Sequence, residues 1–176
     1  MEEQLNARGW TLGHFPDSFA HSTLGGWAAT RSSGMQSDKY GDIADIVRGL
    51  RMVRPSGTVV LRSLPSTSTG PSLREMIIGS EGRLGIITEL TLRLHGQPED
   101  VAAGVCAFPT LEDAVNCVAM TMQAGIAMGR IEFMDPMAMR AVNLHLGSDY
   151  PLQPHLMVEF AGSPEAVRAN AAAFGE

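Results

Sequence analysis

"IIGSEGRLGIITELTLRL", residues 77–94, is the stretch on which the reading of this chain turns. A short apolar run ends at Gly79, and a polar loop then carries Gly82 and Gly85 together with a carboxylate, Glu81. Strand-like alternation follows. A plain connection between two elements needs roughly two to six residues and little glycine. Glycines at 79, 82 and 85 imply that something approaches the main chain closely there.

Working outward, Ile86, Thr88, Leu90, Leu92 and Leu94 alternate against Ile87, Glu89, Thr91 and Arg93, which predicts a half-buried strand. Upstream, Ser72-Leu-Arg-Glu75 reads as a capping box opening a short helix that Gly79 closes. Residues 64–71 form a polar loop without periodicity. Residues 42–63 read as a β-hairpin, with Ile46, Leu50 and Met52 on one face, Val47 and Val53 on the other, and Pro55-Ser56-Gly57 as the turn. Farther back, Pro16, Asp17 and Ser18 make a turn, and Ser22 or Thr23 caps a helix running to Thr30. Gly25 and Gly26 would lie in its first turn, an unfavourable place for glycine unless exposed N–H groups serve an anion. Residues 1–13 read as the tail of a helix, weakened by Asn6 and Gly9.

Downstream, "HGQPED" (95–100) reads as a linker, and the rhythm changes after it. A strand "VAAGVCAF" leads to a helix capped by Thr110, with Leu111, Ala114, Val115, Val118 and Met122 as its expected apolar stripe. "GRIEFM", a helix opened by Asp135-Pro136, "HLMVEF", and a helix from Ser163-Pro164-Glu165 to Glu176 complete β-α-β-α-β-α. The expected organisation is α+β in two domains, 1–97 and 98–176.

Composition narrows the function classes. Of 176 residues 44% are apolar and 18% charged, as in ordinary globular proteins, and a net charge of -6 argues against nucleic acid as a partner. No run of 18 apolar residues exists, so no membrane span is expected. The acidic start "MEEQLNARGW" resembles neither a signal nor a transit peptide. Cys106 and Cys117 match no metal or redox motif and read as two reduced, buried thiols of a cytoplasmic protein. His14, His21, His95, His145 and His155 have no metal-ligand spacing, so no metal site is expected. The methionines gathered between 120 and 157 read as core filler. Neither G-x-G-x-x-G nor a P-loop is present; the sole lysine, Lys39, lies far from the glycine loops.

"PDSFAHSTLGGWAATRSSGMQSDKYGDIADIVRGLRMV" (16–53), followed by "GSEGRLGIITE" (79–89), resembles the FAD-binding oxidoreductases of the vanillyl-alcohol oxidase type. Within them it is similar to the alkyldihydroxyacetonephosphate synthase branch, with glycolate and D-lactate dehydrogenases as further relatives. The resemblance implies a PCMH-type second FAD subdomain, an antiparallel sheet with helices, followed by the start of a ferredoxin-like antiparallel cap. It implies FAD as cofactor and a small molecule as substrate. It also implies three FAD-contacting segments: Pro16, Asp17, Ser18, Phe19, Ala20, His21 and Ser22; Thr30, Arg31, Ser32 and Ser33; and Glu81, Gly82, Arg83, Leu84, Gly85, Ile86 and Ile87. The glycines of the last segment would let the main chain reach the cofactor. No residue here is assigned a catalytic role.

Such enzymes carry an earlier diphosphate-gripping loop and a longer cap, so the chain is expected to be the middle of a larger enzyme. Alone it is expected to bind FAD weakly or not at all, and to associate as a homo-oligomer through bare apolar surface. At the position where the synthase branch carries an activity-bearing arginine, this chain has Glu132, with Arg130 two residues earlier. The dehydrogenase relatives carry glutamate there, and a carboxylate repels a phosphate-bearing substrate.

Overall fold

The computed structural model describes residues 1–65 and 68–175; Ser66 and Thr67, expected in the polar loop, and Glu176, expected at the end of the last helix, lie outside the described residues. The chain divides into two compact units, Met1–Gln97 and Pro98–Glu176.

In the first unit, α1 (Glu2–Asn6) precedes a two-residue strand, β1 (Trp10–Thr11). The opening helix is therefore shorter than the expected 1–13. Glu2 is buried because its carboxylate accepts from the Thr11 hydroxyl (2.5 Å) and the Leu12 amide (3.2 Å). A 3₁₀ turn (Phe19–His21), α2 (Leu24–Thr30), α3 (Ser37–Tyr40) and α4 (Ile43–Ile46) lead into the antiparallel strands β2 (Val47–Arg54) and β3 (Gly57–Leu61). After α5 (Leu73–Ile77), β4 (Ile86–Leu92) joins the other side of β2, giving the order β3-β2-β4. A last strand, β5 (His95–Gly96), pairs with β1.

Several expectations change here. Residues 43–46 are helical rather than strand, because Asp42 and Asp45 form a reciprocal capping box that satisfies the first free amides. Val47 is buried with Leu50 and Met52 rather than opposite them, since the β2–β4 ladder shifts register between Val47 and Gly49. A second shift, between Arg51 and Met52, breaks the alternation of β4. Met52 faces Ile87 and Leu50 faces Leu90, so Ile87, Leu90 and Leu92 pack on the core while Ile86 is 72% exposed. His95 and Gly96, read as linker, are strand. The core gathers Leu12, Trp27, Ile43, Ile46, Val47 and Leu50 around the inner face of this sheet.

The second unit runs β6 (Asp100–Ala107), α6 (Leu111–Gln123), β7 (Arg130–Met134), α7 (Pro136–Leu146), β8 (His155–Gly162) and α8 (Pro164–Gly175). The order β6-β8-β7 is antiparallel throughout, so β6 and β7 run parallel with β8 between them, a split β-α-β. Thr110 caps α6 by accepting from the Asp113 amide, and Asp135 caps α7 with Pro136 at its first position. The stripe of α6 differs from expectation. Ala114, Cys117 and Val118 pack on Leu156, Val158 and Phe160, while Leu111, Val115 and Met122 are more than half exposed. The helix carries two apolar faces, and the sheet takes the one with the smaller side chains. Cys106 and Cys117 are free thiols, half-buried rather than buried; burial, with Cys117 nearby, raises the pKa of the Cys106 thiol above its ordinary value.

Candidate functional site

Short helix α2 holds together the three segments singled out in the sequence. Thr23, not Ser22, is its cap, accepting from the Gly26 amide at 3.1 Å. That bond uses the Gly26 N–H that had been expected to serve an anion. The Trp27 indole, 5% exposed, points back at residues 16–22. Its Nε1–H donates to Ser22 Oγ (2.6 Å), which itself donates to the Ser18 carbonyl (2.7 Å). Phe19 stacks on the indole at 5.7 Å, and Phe15 lies against Phe19. Pro16 is buried, while Asp17, Ser18, Phe19, Ala20 and His21 are exposed on the outer side of the turn.

At the other end of α2, Arg31 adopts φ 55°, the left-handed conformation that stops a helix, and the Ser32 amide returns to the Trp27 carbonyl. Thr30 and Ser33 are exposed, but the Thr30 hydroxyl donates back to Gly26 O (3.0 Å). Helix ends leave carbonyls without partners. Here Ala28 O accepts from the Gly79 amide and Ala29 O from the Glu81 amide, both at 2.9 Å. The loop 79–81 is thereby strapped to α2. Arg31 braces it from the side: its Nη2 reaches Glu75 on α5 at 2.7 Å, and its Cβ lies 3.1 Å from where a Cβ on Gly79 would sit. Burial opposes ionisation of Glu75, yet the hydrogen bonds and charges of Arg31 and Arg74 outweigh it and hold its carboxyl below its ordinary value. So exposed an ion pair orients the loop more than it stabilises the fold.

Beyond the strap, Glu81 (φ 50°), Gly82 (φ 80°) and Gly85 (φ 150°) turn the chain toward β4. Arg83 N–H returns to Ser80 O. Among the described residues, the Gly82 and Leu84 amides donate to nothing. The turn lines a shallow cavity of about 330 Å³ beside Gly79 and a second of about 440 Å³ beside Val53 and Ile86.

Three contributors escaped the sequence reading. Trp27 sits in an apolar helix and looks like ordinary core. Glu75 was expected to complete a capping box with Ser72; Ser72 does accept from the Glu75 amide, but the Glu75 carboxylate turns to the arginines. His14, only 1% exposed, contacts Ser32 Oγ through Nε2 (2.8 Å) and meets Trp27 edge-on.

His14 yields a pH prediction. Burial lowers its pKa below 6.5, with Asp42 opposing; burial followed by the charges of Arg93, Lys39 and Arg48 lowers that of His95 likewise. Below pH 6.5 the unfolded chain therefore binds more protons than the folded one. The stability these neutral rings allow is fully present above 6.5 and declines as pH falls toward the lowered folded values. Urea midpoints of the first unit should fall from pH about 7.5 to about 5.5, and His14→Gln should flatten that slope. A midpoint unchanged over this range would contradict the assignment.

In the second unit, Arg130, Glu132, His155 and Glu159 alternate with residues packed on α6 and α8 and so point to the other face of the sheet. Glu159, 6% exposed, accepts from Arg130 Nε (2.9 Å) and Nη2 (2.5 Å).

A family model described as the FAD binding domain matches residues 1–62, and one described as the C-terminal domain of FAD linked oxidases matches residues 97–176. The chain belongs to the FAD-linked oxidase family. FAD is the cofactor of this family. Alkyldihydroxyacetonephosphate synthase of Dictyostelium discoideum is 45% identical over 136 residues, 77% of this chain and 22% of that protein. The mitochondrial D-lactate dehydrogenase (cytochrome) of Arabidopsis thaliana is 40% identical over 149 residues, 84% of this chain and 26% of that protein. A solved structure of alkyldihydroxyacetonephosphate synthase superposes with a TM-score of 0.82 at 36% identity, covering 99% of this chain and 35% of that one. The chain thus spans about a quarter of the length of these curated relatives.

Proposed function

We propose that this chain is the cofactor-holding and cap-starting part of an FAD-dependent oxidoreductase of the FAD-linked oxidase family. In this reading FAD lies along residues 16–22, 30–33 and 79–87. The observation that carries it is the convergence of all three segments on α2, with unpaired amides at Gly82 and Leu84 in a turn of positive φ. Those residues fit the group: a flavin nucleotide offers anionic and carbonyl oxygens, and main-chain N–H groups are its natural donors. Ser18 and Ser33, exposed on the other two segments, add hydroxyl donors. Gly82 has open space where a side chain would stand, so nothing keeps a ligand from its main chain. When bound, the flavin supplies the redox chemistry, accepting an electron pair from the substrate. The chain's own residues bind and orient it. Trp27 fixes the 16–22 turn, and the Ala28 and Ala29 carbonyls fix the 79–81 strap.

Titrating FAD into the purified chain and following flavin fluorescence tests this. Weak quenching that saturates only at high FAD concentration, and that Gly82→Trp removes, is the expected result. Identical titrations for both proteins would take residues 79–87 out of the site.

A more specific reading, oxidation of a small 2-hydroxy acid of the D-lactate or glycolate kind, is favoured over ether-lipid synthesis by one observation. The face carrying Glu132 also carries buried Glu159, and Arg130 is already engaged by Glu159. Two carboxylates against one guanidinium disfavour a doubly charged phosphate ester more than a monocarboxylate. Anaerobic bleaching by D-lactate or glycolate of the flavin bound to a full-length enzyme containing this chain would support it; the absence of bleaching with both acids would overturn it.

A further inference from the structure

A cavity of about 500 Å³ in the first unit, whose lining shares no residue with 16–22, 30–33 or 79–87, is lined by three arginines from three elements: Arg48 of β2, Arg62 just beyond β3 and Arg74 of α5. The fold brings them together by two local devices. The β2–β4 ladder slips between Val47 and Gly49, leaving Arg48 without a ladder partner on β4. Gly49 allows the chain leaving β3 to press onto β2: a Cβ there would stand 2.7 Å from the Leu61 carbonyl oxygen and 3.2 Å from the Arg62 carbonyl carbon. That close approach sets Arg62 beside Arg48.

The charge of the cavity is one-sided. Its carboxylate, Glu75, is shared between Arg31 (2.7 Å) and Arg74 (3.1 Å). Among the described residues, neither Arg48 nor Arg62 has a carboxylate within 4.0 Å. Among the described residues, buried Arg74 Nε has no hydrogen-bond partner. The hydroxyls of Thr69 and Ser72 complete the polar lining. In a chain of net charge -6, this concentration of guanidinium groups is a local exception. A monocarboxylate has two oxygens and engages one guanidinium fork; a phosphate has three terminal oxygens and two charges, which suits several forks around one space.

We propose that this cavity is a binding site for a phosphate-bearing small molecule, held apart from the FAD. The shared chemistry is the phosphate oxyanion, whose two sources are a separate phosphorylated ligand and the cofactor's own diphosphate. The proposal commits to the first and does not rest on the cofactor reading above.

The test is calorimetric titration of the full 176-residue chain with inorganic phosphate and with pyrophosphate, repeated on Arg48→Ala, Arg62→Ala, Arg62→Lys and Arg140→Ala. Saturable binding is expected, weakened about tenfold by each alanine at 48 or 62, equal to about 1.4 kcal/mol. Arg62→Lys should lose less, and Arg140→Ala, exposed on α7, nothing. FAD should neither displace the anion nor bind Arg62→Ala less well than the parent. No saturable binding, or an equal loss in Arg140→Ala, would overturn the site. Displacement of phosphate by FAD would assign the arginines to the cofactor and overturn the separate ligand. Thermal melts of each variant confirm that the fold is retained.

Discussion

Trp27→Ala is expected to destabilise the first unit by about 3–5 kcal/mol, the range for truncating a buried aromatic side chain to alanine. The indole is 5% exposed and belongs to the main core, so its removal leaves a cavity that the sheet cannot collapse to fill. It also removes the donor to Ser22 Oγ and the surface on which Phe19 stacks. Residues 16–22 then lose their attachment to α2, and FAD affinity should fall even in molecules that remain folded. Trp27→Phe separates the two effects. It keeps an aromatic face but not the N–H, so it should cost less stability and still free Ser22. Urea denaturation measures the first effect and flavin fluorescence the second. Equal stability of Trp27→Ala and the parent would refute the packing argument.

Gly85→Ala should be nearly as severe, and Gly82→Ala should not, although both glycines lie in one loop. A Cβ on Gly85 would stand 2.7 Å from the Val53 carbonyl oxygen and 2.8 Å from Met52 Cγ, at φ 150°. Backbone strain of about 1–3 kcal/mol and a comparable overpacking cost add at this position. The expected loss is about 3–4 kcal/mol, with β4 loosened where it meets β2. At Gly82 a Cβ would meet nothing within 4 Å, and only the left-handed φ of 80° is unfavourable, costing about 1 kcal/mol. Denaturant midpoints of the two variants settle the contrast. Equal losses would show that strain, not the approach of β2, decides the position of both glycines.

Local signals were readable in the sequence where one residue answers another three positions away. Thr23, Thr110 and Asp135 cap the helices they were expected to cap, because a side-chain oxygen and an amide in the next turn suffice. The sequence reading failed where a distant strand intervened. The alternation from Ile86 onward predicted its own burial, and the slip opposite Arg51 and Met52 reversed the exposure of Ile86 and Ile87. Ile43 and Ile46 suggested strand, but Asp42 and Asp45 turned those residues into a helical turn. On α6 two apolar faces competed, and only the shape of the sheet chose between them. For the candidate site, the order of the glycine-bearing segments was legible through resemblance. Their junction at Trp27, Ala28 and Ala29 was not, because it depends on contacts between residues far apart in the chain.

The position of β8 has a consequence for the birth of the protein. Among the described residues of the second unit, β6 and β7 pair only with β8, which is made after both. As synthesis passes residue 154, both earlier strands and both helices α6 and α7 are complete, yet no ladder joins any of them. The nascent chain at that moment holds two unzipped strands and uncovered apolar helix faces, the species most prone to misassembly. Residues 155–162 act as a late keystone: once they emerge, both ladders and the seat of Leu156 form in a single step. A stall just before residue 155 should therefore recruit chaperones more strongly than a stall beyond residue 162.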